Sequence, residues 1–162
     1  MRKLSIILCV IMMGFIFYMS SKTGFESNKK SFAVVNAVRE EYKGTQNIEN
    51  NVKSKSSLPV TKRQEKVNIY LRKNAHALEY LILAILISNA FFCNRYKGKG
   101  IIIYILFICL IFAVTDEYHQ SFIVGRTANV RDVLIDFSGS LFGIAIYYFA
   151  YYFFYKKHNY KY

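Results

Sequence analysis

The stretch VLIDFSGSLFGIAIYYFAYYFFY, Val133–Tyr155, decides the class of this protein. Its only formal charge is Asp136, close to its start; the rest is apolar, aromatic or small. A helix rises ~1.5 Å per residue and the hydrocarbon core of a bilayer is ~30 Å thick, so roughly 20 such residues cross it. This segment is long enough by itself. Three further apolar blocks precede it, at Leu4–Met19, Ala75–Cys93 and Ile101–Thr115. The block at Ile101–Thr115 reaches spanning length only if its helix continues through Asp116–Tyr118, which puts that acidic end at an interface. A soluble bundle helix would carry a polar stripe, and the centres of all four blocks lack charge. The expectation is an all-α integral membrane four-helix bundle, one domain over residues 1–162, with spans at about 4–21, 75–93, 101–118 and 133–155.

Composition narrows the class further. Cys9, Cys93 and Cys109 all lie inside apolar blocks, which favours buried free thiols over a secreted disulfide framework. Arg2 and Lys3 ahead of an apolar run also fit a secretory signal peptide. The YMSSKTG that follows lacks the small-residue pair preferred for cleavage, so a retained first span is favoured. The net charge is +12, from 22 Lys and Arg against 10 Asp and Glu, yet no nucleic-acid motif accompanies it. In a membrane protein that excess points to anionic headgroups and anionic polymers of the cell surface. The expected partners are therefore membrane lipids and a lipid-linked or anionic envelope component, with no nucleic acid and no cofactor; an oligomer is left open.

Short connections set orientation, because long loops translocate whatever their charge. Asn94–Gly100 carries Arg95, Lys97 and Lys99 and no acid; Arg2 and Lys3 precede the first span, and Lys156, Lys157 and Lys161 follow the last. With four spans all three segments share one side, so both termini are expected in the cytoplasm. A long extracytoplasmic loop, about 22–73, then joins the first two spans. Its Asn, Ser and Lys content suggests a mobile or partly helical segment, with FAVVNAV and EKVNIYLRK as short interfacial helices.

That topology gathers charges at one depth on the outer side. His76 and Glu79 open the second span; Asp116, Glu117, His119 and Gln120 close the third. Arg126 lies in the following loop, and Asp132 and Asp136 open the fourth span. Helical spacing puts Arg72, His76 and Glu79 on one stripe, and Asp116, His119 and Gln120 on another. Asp132 and Asp136 share a third, continued by Gly139 and Gly143, a small-xxx-small pattern that invites close approach of a neighbouring helix. An unpaired carboxylate inside a membrane costs several kcal/mol, at least ~2.5 on insertion scales, so Asp136 needs a partner. His76, His119 and Arg126 are the natural candidates.

Each group also has a bland interpretation. Asp116 and Glu117 fit simple interfacial charges, the histidines amphipathic interface residues, and Arg126 a headgroup anchor. Asp136 is the sharpest single signal, since even a structural role requires a buried partner. Taken together, the groups favour a functional cluster.

RKNAHALEYLILAIL (Arg72–Leu86), TDEYHQSFIVGRTANVRDVLIDFSGSLFGI (Thr115–Ile144) and FYMSSKTG (Phe17–Gly24) resemble the VanZ-like membrane protein family. The resemblance rests on K-x-x-H-x-x-E-Y, D-E-x-x-Q-x-F-x-x-G-R and D-x-x-x-D-x-x-G-x-x-x-G in combination. Val124 departs from it, standing where family members usually carry Pro before Gly-Arg. The family name implies a bacterial plasma membrane, the Gram-positive envelope and low-level resistance to glycopeptide antibiotics of the teicoplanin type. It implies no mechanism.

Four functions fit the residues. In the enzymatic one, Glu117 or Asp136 pairs with His76 or His119 as base and acid on a lipid-linked anionic substrate, and Arg126 holds a phosphate or carboxylate. No Ser or Cys nucleophile motif or phosphatase signature supports it, and no spacing is diagnostic of a metal among Asp116, His119 and Asp136. In the second, the cluster binds an envelope component or the antibiotic without turnover. Transport is disfavoured by charges at a single depth, and a purely structural role remains open.

Overall fold

The computed structural model describes residues 2–22, 62–93, 99–124 and 126–156. Among them are four α-helices and no strand: α1 (Arg2–Ser20), α2 (Lys62–Cys93), α3 (Lys99–Gln120) and α4 (Val130–Ala150). A π-helical segment, Tyr151–Lys156, continues α4. All four helices contain a window long and apolar enough to cross a membrane, at Lys3–Ser20, Ile69–Cys93, Gly100–Gln120 and Val130–Phe153. Helices are the expected solution, because an apolar solvent offers backbone groups no partner outside the segment.

Two boundaries differ from the sequence expectation. Helix α3 runs through Asp116, Glu117 and Tyr118 as expected and goes on to Gln120. Helix α2 begins at Lys62 rather than near Ala75. The polar run KRQEKVNIYLRK, expected in the outer loop with EKVNIYLRK as a separate short helix, is instead continuous with the span. Its Lys, Arg, Glu and Gln side chains are good helix formers, and no Gly or Pro interrupts the chain up to Cys93. The rest of the expected outer loop from residue 23 to residue 61, with its FAVVNAV segment, lies outside the described residues, as does the basic connection 94–98.

The helices alternate in direction. Helix α2 lies along α4, its most extensive neighbour, and the pair runs parallel. A Cβ added at Gly139 would run into the Ala77 carbonyl oxygen, and one at Gly143 into that of Leu81. The two backbones therefore touch through the small-residue stripe, the close approach that only glycine permits. Helices α1 and α3 run the other way. Asn89 near the end of α2 donates to Ser5 near the start of α1 (3.4 Å), and Ser20 at the end of α1 donates to Asp116 near the end of α3 (2.8 Å). Ile16, Tyr80, Leu83, Ile105 and Cys109 are fully buried between the helices, and Phe112 packs against both Tyr80 and Phe17. Cys9, Cys93 and Cys109 are free thiols, in keeping with the sequence expectation.

Polarity is distributed against the pattern of a water-soluble protein. Leu4, Val10, Ile103, Phe107, Phe142 and Phe149 point outward, while Ser20, Asp116, Glu117, Gln120, Asp136 and Ser140 are buried. In water such a surface would cost ~25 cal/mol for every exposed apolar Å². Against hydrocarbon it costs nothing, and polar side chains are best placed on one another.

Candidate functional site

One end of the bundle collects the polar groups. There α1 and α3 finish, α4 starts, and α2 enters its apolar portion. Asp116 is fully buried at the centre. Its Oδ2 accepts hydrogen bonds from Ser20 Oγ (2.8 Å) and Gln120 Nε2 (2.9 Å), while Oδ1 is buried with no hydrogen bond. Gln120 Oε1 in turn accepts from Arg126 Nη1 at 2.6 Å. A chain of polar contacts thus ties the loop after α3 to α3 itself and to α1.

Glu117 does a different job on the neighbouring face. Its Oε1 accepts the Asn129 backbone N–H at 2.6 Å. Asn129 is the N-cap of α4, extended at φ −141° and ψ 122°, and its side chain accepts from Arg131 N at 3.0 Å. Short polar side chains favour that position because they satisfy one of the helix's orphan donors. Glu117 therefore sets where α4 begins relative to the end of α3. Lys73 and Asp132, 2.6 Å apart and both partly exposed, add an ion pair between α2 and α4.

Three donors from three helices converge beside these bonds. Single ligating atoms of His76 (α2), Asp116 (α3) and Asp136 (α4) all lie within 4.8 Å of one another. The glycine contact explains the convergence. Gly139 resting on Ala77 brings Asp136, one helical turn before it, level with His76. His76 Nδ1 is buried and stands 3.5 Å from Glu79 Oε2, a contact that makes no hydrogen bond. The Tyr80 hydroxyl is likewise buried without a hydrogen bond.

A cleft of about 20 Å³ opens here, lined by Arg72, Lys73 and His76 from α2, Glu117 and Gln120 from α3, and Asp132, Ile135 and Asp136 from α4. Its charge is mixed, with basic groups contributed by α2. Arg126, outside the spans, has its Nε buried with no hydrogen bond. Burial, and then the positive charge of Arg72, lower the pKa of Arg126 from its ordinary value, while Asp116, Glu117 and Glu79 act to raise it. Two guanidinium groups close enough to repel each other favour an anion between them.

Of the residues singled out in the sequence, His76, Glu117, Gln120, Asp132 and Asp136 share this cleft. Asp116 joins His76 and Asp136, Glu79 contacts His76, and Arg126 connects through Gln120. His119 does not join them. On a 3.6-residue helix it stands about 60° to one side of Asp116, with Gln120 about 40° to the other. It faces α1, where Nε2 meets Ser21 Oγ at 3.0 Å and the ring stacks on Phe17 with centroids 4.8 Å apart. In the group considered for a metal, His76 takes the place expected for His119. Of the partners proposed for Asp136, it is His76 that lies beside it.

Sequence reasoning missed Ser20, Ser21, Tyr80 and Asn129. The serine pair ending the first apolar block was visible within FYMSSKTG, but two hydroxyls at a span end carry little signal alone. Tyr80 was part of a motif yet looked like ordinary core. Asn129 was legible only as a helix cap.

No curated protein and no solved structure matches the chain. A family model described as VanZ/LLP1 matches residues 5–152, through all four apolar helices and the cluster between their ends, so the chain belongs to the VanZ/LLP1 family.

Proposed function

We propose that this multi-pass membrane protein acts at the outer face of a bacterial plasma membrane on the cell envelope. The cleft holds the anionic group of a lipid-linked envelope component, and through it the protein contributes low-level resistance to glycopeptides of the teicoplanin type. The observation that carries this reading is Arg126 Nε, buried without a hydrogen bond on a residue whose Nη1 holds the cleft-lining Gln120, with Arg72 in the cleft wall. A phosphate or carboxylate there would accept that donor. The outward placement rests on charge. Arg2, Lys3, Arg95, Lys97, Lys99, Lys156, Lys157 and Lys161 flank the opposite helix ends, and basic short segments stay in the cytoplasm.

Binding is favoured over turnover because the obvious acid–base candidates already have structural work. Of the candidates, Glu117 holds the Asn129 amide, and His119 turns to α1, against Ser21 and Phe17. One feature favours an enzymatic alternative, hydrolysis of the same lipid-linked component. His76 Nδ1 and Asp116 Oδ1 are buried and make no hydrogen bond.

The test is the teicoplanin inhibitory concentration of a susceptible Gram-positive host expressing the wild type, Arg126→Ala, Arg72→Ala or Asp136→Asn, with membrane levels checked by immunoblot. Protection by the wild type and its loss in the variants at equal protein level is expected. Full protection from all three variants, or none from the wild type, contradicts the proposal.

A further inference from the structure

We propose that His76, Asp116 and Asp136 form a binding site for a divalent metal ion of the Mn²⁺ or Zn²⁺ type. The three donors come from α2, α3 and α4, so an ion between them would fasten the three helices at one point. Their mutual distances, none above 4.8 Å, are close to what coordination requires. Neighbouring donors of a tetrahedral ion with bonds of ~2.1 Å stand ~3.4 Å apart, so a pair at the longest separation needs to close in by about 1.4 Å, which side-chain rotation can supply.

Charge gives a second, independent argument. Asp116 and Asp136 are both buried, 0% and 3% exposed, within a membrane-spanning bundle. Arg126 Nη1 donates to Gln120 rather than to either carboxylate. On binding an ion the two carboxylates give up any protons, and with a neutral imidazole they offer −2, which one divalent cation cancels where desolvation makes charge most costly.

The third argument comes from atoms left over. Asp116 uses Oδ2 for Ser20 and Gln120, and its Oδ1 has no hydrogen bond although the residue is fully buried. His76 Nδ1 also makes no hydrogen bond, standing 3.5 Å from Glu79 Oε2, so the ring is not held in place by one. The hydroxyl of the fully buried Tyr80 also lacks a hydrogen bond. Buried polar atoms are ordinarily paired, so Asp116 Oδ1 keeps a lone pair that an ion can use. The donor set selects its class. One nitrogen with carboxylate oxygens suits Mn²⁺ or Zn²⁺ better than Ca²⁺ or Mg²⁺, which prefer oxygen alone. His76 and Asp136 also line the cleft, which gives an ion a way in and leaves room for a water as a further ligand.

This site requires nothing about what docks in the cleft, and its test is separate from any resistance phenotype. The full chain, purified in detergent with any affinity tag removed, is loaded with Mn²⁺ or Zn²⁺, desalted, and analysed for metal by mass spectrometry. About one ion per chain is expected, with affinity weaker by on the order of 10–100-fold or more in His76→Ala, Asp116→Asn and Asp136→Asn. Tyr147→Phe, at the far end of the bundle, is expected to bind normally. The Mn²⁺-loaded wild type should also show an electron-spin-echo modulation from directly bound imidazole nitrogen. Because that signal is read on the folded wild type, it does not depend on variants that fail to fold. No metal retained by the wild type, or bound Mn²⁺ with no nitrogen modulation, overturns the site.

Discussion

At the scale of single residues, Glu117 separates a structural from a chemical role most cleanly. Its carboxylate accepts the Asn129 amide and so fixes the N-terminus of α4. Glu117→Gln keeps an acceptor oxygen and is expected to leave hydrogen exchange at the Asn129 amide slow. Glu117→Ala removes it and is expected to speed exchange there, with a loss of about 1–3 kcal/mol in stability. Equal exchange in both variants, read by mass spectrometry in detergent, would show that the contact does not hold the turn. Asp136 and His76 were legible in the sequence because a charge inside a span demands an internal partner. The separation of His119 from Asp116 was not, since a stripe of three helical positions covers about 100° and packing decides which neighbour each one meets. Ser20 shows the same limit. Its importance comes from Asp116, a residue of another helix.

At the scale of elements, the α2–α4 contact positions everything else. Gly139 meets the Ala77 backbone, so Gly139→Ala must force the helices apart. It is expected to lower stability by about 1–3 kcal/mol. Gly14 in α1 has nothing within 4 Å of an added Cβ, so Gly14→Ala is expected to be tolerated. Unfolding titrations with sodium dodecyl sulfate measure both. If Gly139→Ala proves as harmless as Gly14→Ala, the parallel α2–α4 packing is wrong. The small-residue stripe was readable from spacing, although its partner helix was not. EKVNIYLRK was legible as helix, and its continuity with the span was not, for a simpler reason. Charge distinguishes what lies in a membrane from what does not, and it says nothing about where a helix begins in water.

At the scale of the whole molecule, the account rests on an asymmetry. Buried carboxylates, the cleft and the α4 cap lie at one end, and the basic flanks lie at the other. Four apolar blocks made the bundle legible from composition alone, because roughly 20 uncharged residues in a row have few other uses. The sidedness of that bundle in a membrane is the central claim, since an envelope role needs the cleft outside. It is tested most directly by labelling intact cells with a membrane-impermeant maleimide, after Cys9, Cys93 and Cys109 have been replaced by Ala. Thr127, exposed in the loop beside the cleft, is changed to Cys in one strain, and Lys97 in the opposite connection in another. The account predicts that Thr127→Cys is labelled from outside and that Lys97→Cys is labelled only after the cells are opened. The reverse pattern would put the cleft in the cytoplasm and contradict the proposed function outright.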